Sequence, residues 1–145
     1  AHAMVNKGYV ASVDEAFKKY LGKGMSCYVP RKTYSPKESI EMIKNAGGLA
    51  ILAHPVYITE DYGKLYSLLK QLKEYGLDGT ECLYNCYSEE FSKMCFDICD
   101  KLGLVKSGGS DFHGGNKPDV ELGKVSGGYV PYEFLLNMKE QRGLM

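Results

Sequence analysis

The chain has 145 residues, 44% of them hydrophobic, which is enough for one domain with its own core. Lys+Arg and Asp+Glu both number 18, so the net charge is zero, which argues against an extended nucleic-acid surface or a charged membrane-binding face. No apolar run approaches the roughly 20 residues that a membrane span needs. Five cysteines, at 27, 82, 86, 95 and 99, and an opening with no charged-then-apolar leader give the expectation of a cytoplasmic chain with reduced thiols. Cys95 and Cys99 lie four apart on a predicted helix, hence on one face. Small buried apolar cysteines suit them better than a zinc knuckle.

Residues 1–10 read as a helix end that closes at Gly8. Ser12 then caps a new helix, with Glu15 completing a capping box. Val13, Ala16, Phe17, Tyr20 and Leu21 form its apolar stripe, and Gly22 and Gly24 end it. Residues 25–34 are a loop or a short extended piece. Arg31 and Lys32 lie there beside Tyr28 and Tyr34, as a solvated basic loop or as a flap for phosphate or base; the residues alone favour the loop. Ser35-Pro36 begins the next helix, which runs through Ile40, Met42, Ile43 and Ala46 to Gly47-Gly48. An apolar strand over 49–53 follows, with His54 at its tip and Pro55 stopping the ladder. A helix near 62–75 carries Leu65, Leu68, Leu69 and Leu72 on one face.

The second predicted strand covers 77–83. Glu81, late in it, reads as a carboxylate that orients a ligand or as half of a buried ion pair. Tyr84 or Tyr87 lines a pocket or simply packs. Ser88 caps a helix over 89–102, and a third strand covers 104–107. Asn116-Lys117-Pro118-Asp119 is a loop, Leu122-Gly123 and Val125 lead to a closing segment, and a last helix starts at Pro131. Helices and strands alternate, which predicts an α/β fold with parallel strands.

Two stretches carry chemistry. In Gly108-Gly109-Ser110-Asp111-Phe112-His113-Gly114-Gly115, a carboxylate and an imidazole stand two residues apart. If the strand extends to Asp111, both side chains point the same way and make half of a divalent-metal site. A polar turn in which Asp111 caps the next element explains this stretch alone about as well. His54 shifts the balance. It emerges at the carboxyl end of a buried strand, where parallel α/β folds place their chemistry. The candidate metal-ligating and catalytic groups are therefore His54, Asp111 and His113.

Leu-Ala-His-Pro at 52–55, Gly-Leu-Asp-Gly-Thr-Glu at 76–81 and Gly-Gly-Ser-Asp-Phe-His-Gly at 108–114 resemble the C-terminal half of a PHP (polymerase and histidinol phosphatase) domain. The resemblance is strongest to the subgroup that includes the bacterial 3′,5′-nucleoside bisphosphate phosphatases. It extends through residues 7–13, 16–21 and 28–31, over nearly the whole chain. It implies a distorted (βα)7 barrel, with 1–34 the end of a small helical insertion and 35–145 the C-terminal βα units. It also implies a metal-dependent phosphoesterase that uses divalent Mn, Zn or Fe on phosphate esters of nucleotides or oligonucleotide ends. His54, Asp111 and His113 would ligate metal, and Arg31, Lys32 and Lys117 would clamp phosphate. A histidinol-phosphatase-like activity, or a non-catalytic α/β fragment that needs a partner, are the alternatives. The family carries a His-x-His motif in its first strands. This chain has His2, His54 and His113 and no such motif, so it is expected to be an incomplete barrel, inactive alone and prone to self-associate.

Overall fold

A computed structural model of the chain describes residues 1–30 and 32–144; Arg31, one of the candidate phosphate-binding residues, lies outside the described residues. The chain divides into two units, Ala1–Tyr34 and Ser35–Met145. In the first, α1 (His2–Asn6) closes before Gly8, as predicted. The Ser12 hydroxyl accepts the Glu15 N–H at 3.1 Å, while the Glu15 carboxylate accepts the Ala11 N–H at 2.7 Å. The capping box therefore forms one residue earlier than its usual pattern. α2 (Val13–Ala16) lasts one turn, and Phe17–Leu21 continues as a π-helical turn rather than the α-helix predicted to residue 21. The cause is local. Of the predicted stripe only Ala16 is buried and Phe17 is exposed, so no packed face holds the α register there.

The second unit starts with α3 (Pro36–Asn45). Ser35 accepts the Glu38 N–H at 3.2 Å, Glu38 accepts the Ser35 N–H at 2.7 Å, and Pro36 occupies the first helical position. β1 (Ile51–Leu52), α4 (Tyr62–Glu74), β2 (Gly79–Tyr84), α5 (Glu89–Leu102) and β3 (Val105–Gly109) follow. The three strands form one sheet in the order β1-β2-β3, and both pairs are parallel, as the alternation predicts. A two-stranded antiparallel hairpin, β4 (Lys124–Val125) and β5 (Gly128–Tyr129), stands where the sequence indicated only a closing segment. α6 (Tyr132–Gln141) is the last helix. Among the described residues no helix is long and apolar enough to cross a membrane.

The core lies between the sheet and its helices. Leu65, Leu69 and Leu72 of α4 and Phe91, Cys95, Ile98 and Cys99 of α5 are buried in one cluster with Cys82 of β2. The buried cysteines act as small apolar side chains, as expected, and burial pushes the Cys95 thiol up to about 12. Gly79 is required by the sheet itself: a Cβ there would lie 2.3 Å from the Val105 carbonyl oxygen.

β1 is shorter than the predicted 49–53, and β2 starts two residues later than predicted. Just before β2, the buried Asp78 side chain adds to the backbone pairing, in which the Asp78 N–H donates to the Ala50 carbonyl at 2.9 Å. Its carboxylate accepts the Ala50 N–H at 2.7 Å, the Lys44 ammonium at 2.6 Å and the Gln141 amide at 3.3 Å. One side chain thus joins α3, the start of β1 and α6 to β2. Asp78→Ala leaves the Ala50 N–H without that partner and should lower stability by about 2–4 kcal/mol. Lys44→Met, which removes a part-exposed partner, should lower it by less than about 1 kcal/mol. Urea denaturation of the three proteins checks the ranking; equal losses would contradict it.

Candidate functional site

β1 ends at Leu52 and β3 at Gly109, and His54 and Asp111 each follow their strand by two residues. Because the strands are parallel, both residues leave the sheet at the same, carboxyl edge. Both have left-handed backbones, with φ of 51° and 55°, and they are the only non-glycine residues with positive φ among the described residues. Histidine and aspartate enter this region more readily than most residues, yet it still costs roughly 1–2 kcal/mol each. At His54 the following Pro55 would favour an extended backbone, so the turn needs support. Glu81 of β2 supplies it: its carboxylate accepts the His54 N–H at 2.9 Å. Strain of this kind gathers at functional sites.

β3 runs two residues past the predicted 107 but does not extend to Asp111, the condition on which Asp111 and His113 would have pointed the same way. The strand stops at Gly109, and the left-handed turn at Asp111 breaks the alternation, so Asp111 and His113 do not share a strand face. The His113 ring is more than half exposed and folds back, with Nδ1 at 2.7 Å from the Asp111 carbonyl oxygen and 3.4 Å from Asp111 Oδ1. A carbonyl only accepts, so in this contact Nδ1 carries the proton.

A bulge shapes the centre of the site. Glu81 pairs with Ser107 and Leu83 with Gly108, so β2 advances two residues while β3 advances one. Such bulges re-aim side chains. Glu81 and Tyr84, three residues apart on one strand, both reach the cluster. The Tyr84 hydroxyl donates to Asp111 Oδ2 at 3.1 Å, and the Tyr87 hydroxyl donates to Glu81 Oε2 at 3.3 Å. His54 Nε2 lies 3.9 Å from Glu81 Oε2 and 4.0 Å from Asp111 Oδ1. The His54 and Tyr84 ring centroids are 4.8 Å apart, and Tyr57 stands at 6.0 Å from His54. Burial pushes both phenols, Tyr84 and Tyr87, well above the usual tyrosine range, which keeps them protonated as donors.

The two carboxylates are pushed apart. Burial raises Glu81, and contacts with the His54 N–H and the Tyr87 hydroxyl only partly oppose it. The Lys117 ammonium sits directly on Asp111 Oδ2 and, with Tyr84, holds Asp111 below the ordinary aspartate range. Of the three basic candidates, Lys117 is therefore placed on the cluster. Lys32 lies in the first unit, over the Tyr34 ring at 5.0 Å from its centroid.

Imidazole nitrogen and carboxylate oxygen suit a divalent metal in kind. Two donors on one ion, with bonds of roughly 2.1 Å, stand roughly 3.0–3.4 Å apart. The His54–Asp111 spacing of 4.0 Å is near that edge. His113 has its Nδ1 engaged and must turn to join. Among the described residues no three His, Cys, Asp or Glu side chains gather closely enough to hold an ion as placed. The sequence missed the Tyr84 and Tyr87 hydroxyl bonds; two tyrosines just after a buried strand acid were the available signal.

The fold and this cluster define an α/β protein with strained acid and imidazole residues at the carboxyl edge of a parallel sheet, the usual place for an α/β active site. No family model matches the chain. It is 34% identical over 113 residues to a 5′-3′ exoribonuclease of Haemophilus influenzae, across 78% of this chain and 41% of that protein. It is 29% identical over 124 residues to a 3′,5′-nucleoside bisphosphate phosphatase of Chromobacterium violaceum, across 85% of this chain and 43% of that protein. Among solved structures it resembles a metal-dependent phosphoesterase from Bifidobacterium adolescentis, with a TM-score of 0.63 and 24% identity, over 97% of this chain and 48% of that one. These similarities fit the resemblance of the sequence motifs to the C-terminal half of a PHP-type domain. The chain spans about four-tenths of the length of these curated relatives.

The raised Glu81 has a consequence for stability. A carboxyl whose folded value lies above its unfolded one favours folding below the unfolded value, and that contribution is lost as pH rises through the folded value. In metal-free protein, Glu81→Gln should therefore raise the melting temperature by a few degrees at pH 8. The advantage should shrink toward pH 4, near the ordinary glutamate value of 4.5. Melting curves across this range with a chelator present check it; a variant less stable at pH 8 would contradict it.

Proposed function

We propose that the protein containing this chain is a metal-dependent phosphoesterase that hydrolyses phosphate esters of nucleotides or of oligonucleotide ends. One observation carries the reading: His54 and Asp111 leave parallel strands at one edge, in matching strained turns, with their side chains 4.0 Å apart. The printed activities of the exoribonuclease and bisphosphate phosphatase relatives support the substrate class, and the description of the Bifidobacterium structure supports metal use. In this reading residues 35–145 are βα units of a (βα)7 barrel, and 1–34 is the end of a helical insertion. An apolar groove beside β1, lined by Ile40, Ile43, Ile51 and Leu77, is where the rest of the barrel would pack.

His54, Asp111 and His113 would hold the metal. Manganese, zinc and iron all suit this mixed donor set. A divalent ion held there would supply Lewis-acid polarisation of the phosphoryl oxygens and a water of lowered pKa, available as hydroxide near neutral pH. Glu81 keeps the His54 turn in place, and Tyr84 orients Asp111 by donating to its Oδ2. Lys117, against Asp111, would offer positive charge to the phosphate.

The test is an assay of the full-length protein with manganese on a nucleoside 3′,5′-bisphosphate, on a 5′-phosphorylated oligoribonucleotide and on histidinol phosphate. Turnover is expected on the first two, and His54→Ala should lower it about a hundredfold or more. An inactive wild type overturns the phosphoesterase reading, and a His54→Ala variant with full activity overturns the site.

A further inference from the structure

We propose that Lys117 is a built-in counter-cation for the metal site: it neutralises Asp111 when metal is absent and must leave that carboxylate when metal binds. The inference rests on the metal reading above. Its own basis is the contact between the Lys117 ammonium and Asp111 Oδ2. Glu81 and Asp111 bring two carboxyl groups to one small site, and Glu81 is nearly buried. Without a cation their mutual repulsion would oppose the turns that carry them. Lys117 supplies that charge from a loop just after the short helical turn Gly114–Asn116, and its side chain is 42% exposed. A long, part-exposed lysine can move at little cost in packing. It is a compact point charge rather than a bidentate fork, so it occupies one oxygen of Asp111 and leaves the other toward His54.

An ammonium and a divalent ion cannot both sit at Asp111, because like charges at contact repel in a part-buried site. Once displaced, Lys117 remains tethered six residues from Asp111, beside the place where a phosphate would approach. Removal of Lys117 should therefore have opposite effects on two affinities. The metal should bind more tightly, because it no longer competes, and the phosphoester should bind more weakly.

The experiment titrates manganese into the metal-free full-length protein by calorimetry, for wild type, Lys117→Met, Lys117→Gln, Lys117→Arg and His54→Ala. Both neutral variants should bind manganese about five- to tenfold more tightly at the site that His54→Ala abolishes. Lys117→Arg, which keeps the charge, should not gain affinity. In loaded enzyme the neutral variants should show a KM for the phosphoester raised about tenfold. A merely structural lysine would weaken both affinities when removed. Manganese binding that depends on His54 but is unchanged or weaker in both neutral variants overturns this inference and leaves the metal reading standing. Manganese binding that His54→Ala leaves intact, or no binding by any of these proteins, overturns both.

Discussion

The hydrogen bond from the His54 backbone N–H to the buried Glu81 carboxylate is the contact on which the site depends. It crosses from the end of β1 to the middle strand, and it fixes a left-handed histidine immediately before a proline. Without it, the backbone preference of a residue before proline would pull His54 toward an extended path, away from Asp111. The parallel sheet makes the bond possible. β1 and β3 flank β2 in the same direction, so both outer strands end at the same edge, one on each side of β2, and the central strand can reach both exits. At the other end of the sheet, the Asp78 carboxylate performs a similar joining role between α3, β1 and α6. One strand, β2, thus holds the fold with the acid just before it and the site with the acid in its middle.

The electrostatics follow from burial and from one neighbour. Glu81 is desolvated and rises; Asp111, with an ammonium against it, falls. Two carboxyl groups driven in opposite directions within one cluster is the arrangement that lets an α/β site keep one acid ionised and another poised. Buried tyrosine hydroxyls complete the arrangement, since Tyr84 and Tyr87 each donate to one of the two acids. The strain at His54 and Asp111 is then supported by hydrogen bonds on both sides rather than by the turn residues themselves.

Much of this was legible in the sequence, and what was not has physical causes. The helix over 89–102 was predicted to the residue, because Ser88, an apolar stripe and Gly103 in a left-handed cap all mark its bounds. His54 and Asp111 were placed correctly at strand ends, because an apolar run bounded by glycine and proline reads as a buried parallel strand. Whether Asp111 and His113 would share a strand face or sit in a polar turn was left open by the sequence, because periodicity says nothing of where a strand stops; the strand ends at Gly109 and the turn forms. The bulge at Cys82, between Glu81 and Tyr84, leaves no mark in the residue pattern at all. Lys117 could be named as a basic residue near the motif, but its contact with Asp111 depends on the path of the 114–117 loop. The π-helical turn at 17–21 was hidden for the opposite reason: its sequence looks like an ordinary amphipathic helix, and only the lack of a packed face betrays it.

The central claim is that His54 and Asp111 are two ligands of one divalent ion, held together by the carboxyl edge of a parallel sheet. A crystal of the full-length protein soaked in zinc, with anomalous data collected at the zinc edge, tests it most directly. The account predicts an anomalous peak at roughly 2.0–2.2 Å from both His54 Nε2 and a carboxylate oxygen of Asp111. A zinc-soaked crystal with no peak between these two side chains, and His54 and Asp111 still apart, would contradict it.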